Sequence, residues 1–310
     1  MNLKRGRTSR GGFTNALTRT CFFALQILAL ALPASAQTWT RISAGIDWDR
    51  MELNALVTLD LEGAGIRLPA GRARAEALLE EDGPELALPF IMDLQADSSA
   101  TLRVLVDRGE LSLHDAASLA REAAESVPPV ISADLSSMSV RYTYSLAAIS
   151  GRLMRHTRPR DIQAPLIPSP ADNYTGVIVI ADETLPVHGK QTGALVRPCL
   201  FPKIWDSAMN LIYERNMIDP GYAGMVRYAV RDAVTAPSPS GLDEALVSLV
   251  GTNPLRIMAR SVFGAVPTDP VIDREDALLI LSTENNRRLL REGRVALILN
   301  RETLQAAIGK

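Results

Sequence analysis

The sequence has few of the residues on which recognisable protein chemistry depends. Its 310 residues include two cysteines, three histidines and 5% aromatic residues. None of the histidines and cysteines stand at the short spacing typical of paired metal ligands, so we expect no metal site. The patterns G-x-S-x-G, G-x-x-x-x-G-K-[ST] and G-x-G-x-x-G are absent as well, and with them the usual nucleophile and phosphate-binding loops. The sequence therefore predicts no cofactor and a protein that is not an enzyme.

The first 36 residues predict a cleaved secretory signal peptide. They hold five basic residues and no acid, followed by the apolar run 21–32 and then Pro33 and the small residues Ala34-Ser35-Ala36. An apolar run of 12 residues is too short for a membrane-spanning helix, which needs about 20. We therefore expect a mature chain that begins at Gln37, lies in the periplasm and has no stable membrane insertion.

The mature chain carries an excess of acidic residues. Loss of the predicted signal peptide changes the formal net charge from −2 to −7, because it removes five basic residues and no acid. A chain with this balance is a poor partner for nucleic acid and for anionic lipid surfaces. Cys21 is lost with the signal peptide, so Cys199 has no partner for a disulfide within the chain.

The hydrophobic patterns predict an α+β fold of two small domains with mixed or antiparallel sheets packed by helices. We expect an N-terminal domain over 37–155, a proline-rich linker over 156–172 and a C-terminal domain over 173–310. Apolar and polar residues alternate over 137–149, which is typical of a strand with one buried face. The run YTGVIVIAD over 174–182 is typical of a buried central strand. Strands and helices follow no regular βαβ period, which argues against a doubly wound sheet.

Several local signals predict where helices begin and end. Residues 72–94 indicate two helices, or one helix broken near Gly83-Pro84. Residues 98–109 indicate a helix capped by Ser98 or Ser99, and Asp273 is the predicted cap of the helical stretch that follows it. The segment 294–300, RVALILN, is predicted to be the last strand.

Four residues of the segment 182–206 are candidates for a binding site. Asp182 follows the buried strand, and acids at strand ends often line sites in α/β sheets. Cys199 could be a nucleophile if a histidine such as His188 lay beside it, but its proline and apolar neighbours favour a buried packing residue. His188 is equally consistent with an exposed loop position, and Asp206 with a side chain that accepts turn amides.

Two stretches of the second half share a pattern with a known family. The pattern is a buried strand that starts with YTG, a proline-marked segment, a tyrosine-bearing strand and a closing strand–turn–helix–strand segment. The matching positions are Tyr174, Thr175, Gly176, Asp182, Pro198, Pro202, Ile204, Asp206, Ile212, Tyr213, Thr268, Asp269, Val271, Ile272, Asp273, Arg294 and Val295. With these positions the chain resembles bacterial envelope proteins related to flagellar assembly protein T and to small outer-membrane lipoproteins. In the first half the similarity is limited to Asp47, Trp48 and the helix over 71–79. The whole chain is most similar to uncharacterised periplasmic proteins of spirochaetes.

The resemblance implies a non-enzymatic, soluble periplasmic interaction protein with a protein partner in the envelope or the flagellum. The role that it implies there is that of an assembly factor. The alternative is a periplasmic hydrolase or small-ligand binder that uses the loop region 182–206. A pocket that gathers Cys199, His188 and an acid would favour the alternative. An exposed apolar patch would favour the interaction protein.

Overall fold

The computed structural model describes residues 39–122, 124–222 and 224–308, so the predicted signal peptide and Cys21 lie outside the described residues. In chain order, the elements of the first half are β1 (Thr40–Asp47), β2 (Glu52–Asp60), α1 (Arg72–Leu86), α2 (Leu88–Met92), β3 (Gln95–Asp97), β4 (Ala100–Thr101), α3 (Leu102–Asp107), α4 (Leu113–Glu122), β5 (Ala124–Ser126), β6 (Val130–Ile131), β7 (Ser137–Ser145) and α5 (Leu146–Leu153). From 154 to 176 the chain forms neither helix nor strand.

The second half has shorter strands and helices. Its elements are β8 (Val177–Ala181), β9 (Leu185–Pro186), β10 (Gly193–Ala194), β11 (Ile204–Asp206), β12 (Leu211–Tyr213), β13 (Arg227–Ala229), α6 (Glu244–Val250), β14 (Leu255–Met258), β15 (Ser261–Phe263), β16 (Asp269–Ile272), α7 (Arg274–Leu281), α8 (Glu284–Arg291), β17 (Val295–Leu299), α9 (Arg301–Leu304) and β18 (Gln305–Ile308). Two 3-10 helices, over Arg215–Met217 and Arg231–Val234, flank β13.

The first half is organised around an antiparallel sheet with the strand order β18-β1-β2-β7-β5, in which β6 also pairs with β7. Buried and exposed residues alternate along β2 and β7, because successive side chains of a strand point to opposite faces. Leu53, Val57 and Tyr144 belong to the buried face, against which α1 packs. The strand predicted over 137–149 ends at Ser145, whose hydroxyl caps α5 by accepting a hydrogen bond from the amide of Ala148.

Helix α1 continues through the predicted break at Gly83-Pro84 and ends at Leu86. Two tyrosines of β7 explain the difference. Tyr142 donates to the carbonyl of Leu79 at 2.5 Å, and its ring fits against Gly83 because that residue has no side chain. Tyr144 donates to the carbonyl of Pro84 at 3.0 Å. Contacts with the sheet therefore stabilise a helical turn that local propensity disfavours.

A four-stranded sheet with the order β13-β17-β8-β14 forms the centre of the second half. All three pairings are parallel, and every residue of β17 is buried. One face of the sheet, with Ile178 and Ile298, packs on Leu246 of α6. The other face, with Val179 and Leu297, belongs to the main core. This parallel sheet was not expected, because hairpins and irregular loops replace most of the crossover helices that give the usual βαβ period.

A second sheet of this half has the order β12-β11-β16-β15 and is mixed, since β11 and β16 are parallel and the other pairs antiparallel. The hairpin β9–β10 adjoins β15 through a bridge between Val187 and Val262. Antiparallel, parallel and mixed sheets packed by helices occur in one chain, so the predicted α+β class is confirmed.

The hairpin β3–β4 connects the first half to the second. Its carbonyl groups accept hydrogen bonds from Leu200 (to Gln95, 2.9 Å), Phe201 (to Ala96, 2.8 Å) and Val266 (to Ser98, 3.0 Å). Ser98 and Ser99 therefore lie in the hairpin and not at a helix cap, and α3 is capped by Thr101 instead. The predicted last strand is β17, but β18 follows it and pairs with β1.

Asp273 occupies the position before α7 without capping it, because its carboxylate pairs with Arg260 at 2.6 Å. The described residues all belong to one compact unit. None of their helices has the length and apolar character that crossing a membrane requires.

Candidate interaction site

Cys199 is fully buried, and its backbone is fixed by Tyr228. The Tyr228 hydroxyl donates to the Cys199 carbonyl at 2.7 Å and accepts from the Cys199 amide at 3.1 Å. Burial raises the pKa of the Cys199 thiol well above its ordinary value, so the thiolate that a nucleophile requires is disfavoured. The structure thus assigns Cys199 to packing.

Asp182 and Asp206 are both occupied by contacts within the chain. Asp182 forms a two-pronged ion pair with Arg231, at 2.5 and 2.6 Å. Asp206 is buried and holds the turn between β11 and β12: its carboxylate accepts from the amides of Ala208 at 2.9 Å and Asn210 at 2.7 Å. The expected role of Asp206 as a turn acceptor matches this geometry.

His188 is exposed, and its ring lies against Phe263 and not against Cys199. Among the described residues no hydrogen bond joins His188 to Cys199, Asp182 or Asp206. No group of three or more His, Cys, Asp or Glu side chains in the same ranges is placed to hold a metal ion. The four candidates from the sequence are therefore not assembled into one catalytic centre.

Three rings that are distant in the sequence lie together on the mixed sheet. The centroids of His188 and Phe263 are 6.2 Å apart, and those of Trp205 and Phe263 are 5.7 Å apart, both in edge-to-face geometry. Strand pairing produces this cluster. The bridge from Val187 to Val262 places His188 beside β15, and β16 alone separates β15 from the strand of Trp205. A cluster of partly exposed aromatic rings is a surface feature suited to binding.

Basic residues are close to two of the rings along the chain. The segment 184–205 contains Lys190, Arg197 and Lys203 but no Asp or Glu. None of these three cations forms an ion pair with any residue that the structure describes. Lys190 follows His188 in the turn of the β9–β10 hairpin, and Lys203 precedes Trp205. We call His188, Lys190, Lys203, Trp205 and Phe263 the aromatic–cationic strip.

Asp269 supports this strip, and in the sequence it stands out only as part of the family pattern. It is fully buried at the start of β16, where its carboxylate accepts from the Lys203 amide at 3.2 Å, the Trp205 indole at 3.5 Å and the Thr268 hydroxyl at 2.7 Å. Burial raises the pKa of Asp269, and hydrogen bonds from Thr268 and Ser98 oppose that rise. Asp269 thus fixes the backbone of Lys203 and the ring of Trp205 from the inside.

A separate groove of about 1000 Å³ lies between the segment 160–169 and α7. Its apolar lining includes Ile162, Leu211 and Leu278. Leu166 and Ile167, which also line it, are largely exposed to solvent. The groove is of the size of small-ligand sites, and charged residues such as Arg160, Asp161, Arg274 and Glu275 line it together with the apolar ones.

Comparison with known proteins gives two matches that follow each other along the chain. Residues 40–152 match the N-terminal domain of Treponema pallidum Tp0624, and residues 176–301 match its second domain. No curated protein matches the sequence. Similarity to a spirochaetal protein is thereby confirmed, whereas the relationship to flagellar assembly protein T and to the lipoproteins stays a prediction. The strip lies within the second match, and the segment 160–169 lies between the two.

Proposed function

We propose that this chain, which matches the N-terminal and second domains of Tp0624, is a non-enzymatic periplasmic protein that binds a protein partner through the aromatic–cationic strip. The partner would be a component of the cell envelope or the flagellum, and the protein would assist its assembly. The location rests on the predicted signal peptide, and the binding role rests on the strip.

The observation that carries the proposal is the clustering of His188, Phe263 and Trp205 on one surface. Binding energy in protein interfaces is concentrated in a few large side chains, among which tryptophan is enriched. Trp205 is half-buried and hydrogen-bonded to Asp269, so little conformational entropy remains to be lost when a partner covers it. An aromatic centre with a lysine two residues along the chain from each of two rings has a composition suited to a small interface.

Site-specific photo-crosslinking in the periplasm would test the proposal. A photoreactive amino acid is placed at Ser261, on β15 beside the strip, and in a control variant at Leu56, on the exposed face of the first sheet. We expect one discrete envelope protein, identified by mass spectrometry, to crosslink from position 261 and not from position 56. Capture should be lost in the Trp205→Ala variant. Equal crosslinking from both positions, or capture that survives this substitution, would contradict the proposal.

The groove beside α7 favours a second candidate function, the binding of a small apolar ligand. Its volume of about 1000 Å³ and its lining by Ile162, Leu211 and Leu278 support this function. The expected result is a co-purified apolar compound, detected by native mass spectrometry, that is absent from a Leu278→Trp variant in which the groove is filled. The hydrolase alternative has no nucleophile–base pair to support it in the described geometry.

A further inference from the structure

We infer that the aromatic–cationic strip selects an acidic segment of its partner protein, one in which Asp or Glu residues flank an apolar or aromatic side chain. This inference rests on the proposed function and adds the chemistry of the partner. The segment 184–205 carries three cations and no acid, within a mature chain whose predicted net charge is −7.

The acids that border the segment 184–205 and those of the neighbouring strands have partners within the chain. Asp182 and Glu183 both pair with Arg231, Glu183 at 3.7 Å, and Asp273 pairs with Arg260 at 2.6 Å. Asp206 accepts the amides of its own turn, and Asp269 is buried among hydrogen-bond donors. Lys190, Arg197 and Lys203 have no such partner in the described ranges. An incoming carboxylate would therefore meet cations whose charge is not cancelled locally.

The order of the side chains indicates the order of groups in the ligand. The two outer rings and the two lysines come from the same two segments: His188 with Lys190 from the β9–β10 hairpin, and Trp205 with Lys203 from β11 and its approach. Phe263 lies between the two outer rings. A partner segment that crosses β15 would place an apolar side chain on the rings and an acid near each lysine.

An anionic membrane is the other surface that cations could bind, but the affinity that three cations can contribute argues against it. Each Lys or Arg near an anionic bilayer contributes roughly a factor of five to binding. Three cations therefore give on the order of a hundredfold, which is weak unless apolar side chains also insert. Trp205 and Phe263 are only half-exposed and are packed against each other, so they offer little area for insertion.

The inference can be tested with synthetic peptides and a matched pair of charge-reversal variants. The probe is a short peptide in which Asp and Glu flank one phenylalanine, and the control peptide has Asn and Gln at the acidic positions. Affinities are measured by fluorescence anisotropy for the full mature chain. The variant Lys190→Glu/Lys203→Glu is compared with Arg67→Glu/Arg74→Glu, which makes the same change in net charge at exposed arginines of the first half that form no ion pair with described residues.

We expect the acidic peptide to bind at least about tenfold more tightly than its amide control, with an affinity that falls as salt rises from about 50 to about 300 mM. The Lys190→Glu/Lys203→Glu variant should lose at least about tenfold, and the arginine variant less than about twofold. Equal binding of the two peptides, or equal losses in the two variants, would overturn the inference. Preferential binding to vesicles of phosphatidylglycerol and phosphatidylethanolamine would overturn it too.

The outcome can be separated from that of the crosslinking experiment. If a partner crosslinks at position 261 but its capture is unaffected by Lys190→Glu/Lys203→Glu, the binding function stands and the acidic chemistry is wrong. If no partner crosslinks there, the binding function itself is wrong, whatever the peptides do.

Discussion

Two helical glycines should respond in opposite directions to the same substitution. Gly83 lies within α1 and Gly151 within α5. Replacing glycine by alanine inside a helix stabilises it by about 0.8–1 kcal/mol when there is room for the methyl group. At Gly151 an added Cβ would meet no heavy atom within 4 Å. We therefore expect Gly151→Ala to raise the free energy of unfolding by about 0.5–1 kcal/mol.

At Gly83 the same methyl group would collide with Tyr142. The Cβ would lie 2.6 Å from Cζ and 2.8 Å from Cε2 of a ring that is 2% exposed, and closer still to its hydroxyl. Overpacking of this kind costs about 1–3 kcal/mol. Displacing the ring would also break its 2.5 Å hydrogen bond to Leu79, worth about 1 kcal/mol. Against a helical gain of about 1 kcal/mol, Gly83→Ala should destabilise the protein by about 1–3 kcal/mol.

Urea unfolding followed by circular dichroism measures both effects, and thermal midpoints should move by about 2–4 °C per kcal/mol. A Tyr142→Leu background provides the control, because leucine lacks the atoms that the methyl group would strike. There Gly83→Ala should become stabilising. If Gly83→Ala stabilises the unchanged protein as much as Gly151→Ala does, the tight contact between α1 and β7 is wrong.

Three other predictions concern buried polar groups. Asp269→Ala should destabilise the protein by about 2–4 kcal/mol, because it leaves the Lys203 amide and the Trp205 indole without their acceptor. In a Trp39→Phe/Trp48→Phe background, the fluorescence emission of Trp205 should change with the same substitution. Cys199 should resist alkylation in the native protein and react after unfolding, and rapid native labelling would contradict its burial. Burial raises the pKa of Tyr142 to about 12 from an ordinary value of 10.0, so its contribution to stability should be complete below pH 10 and lost as the pH rises through 12. Stability that stays constant over this range would refute this.

The strands with the strongest patterns were predictable because their periodicity is local. Alternation identified β7, and the continuous apolar run identified β8 and its burial on both faces. The prediction of a helix break near Gly83 was wrong, because contacts distant in the sequence decide the structure there. Tyr142 and Tyr144, about 60 residues further along, complete the hydrogen bonding of that helical turn. The prediction that Ser98 caps a helix was wrong, because the hairpin around Ser98 is hydrogen-bonded to Leu200, Phe201 and Val266.

The candidate site could be predicted only in part. His188 was identified as a candidate, but its neighbours Trp205 and Phe263 were not, since no local pattern shows that β11 and β15 lie on either side of β16. Asp269 follows a threonine in a short apolar segment, and nothing in that segment distinguishes a buried carboxylate from a surface one. The absence of acids over 184–205 is visible in the sequence. Its meaning depends on the neighbouring acids being engaged elsewhere, which only the fold reveals.

The docking of β3–β4 against the second half places a constraint on how this sequence can change over time. The carbonyls of Gln95, Ala96 and Ser98 accept hydrogen bonds from amides more than a hundred residues away. The Ser98 side chain also forms a hydrogen bond with Asp269. Substitutions in the hairpin and in the segments 199–203 and 264–269 should therefore be inherited as compensating sets, although the two family matches assign them to different domains. A chimera that joins the first domain of one relative to the second domain of another should fold only when the β3–β4 hairpin and the segments 199–203 and 264–269 come from the same relative.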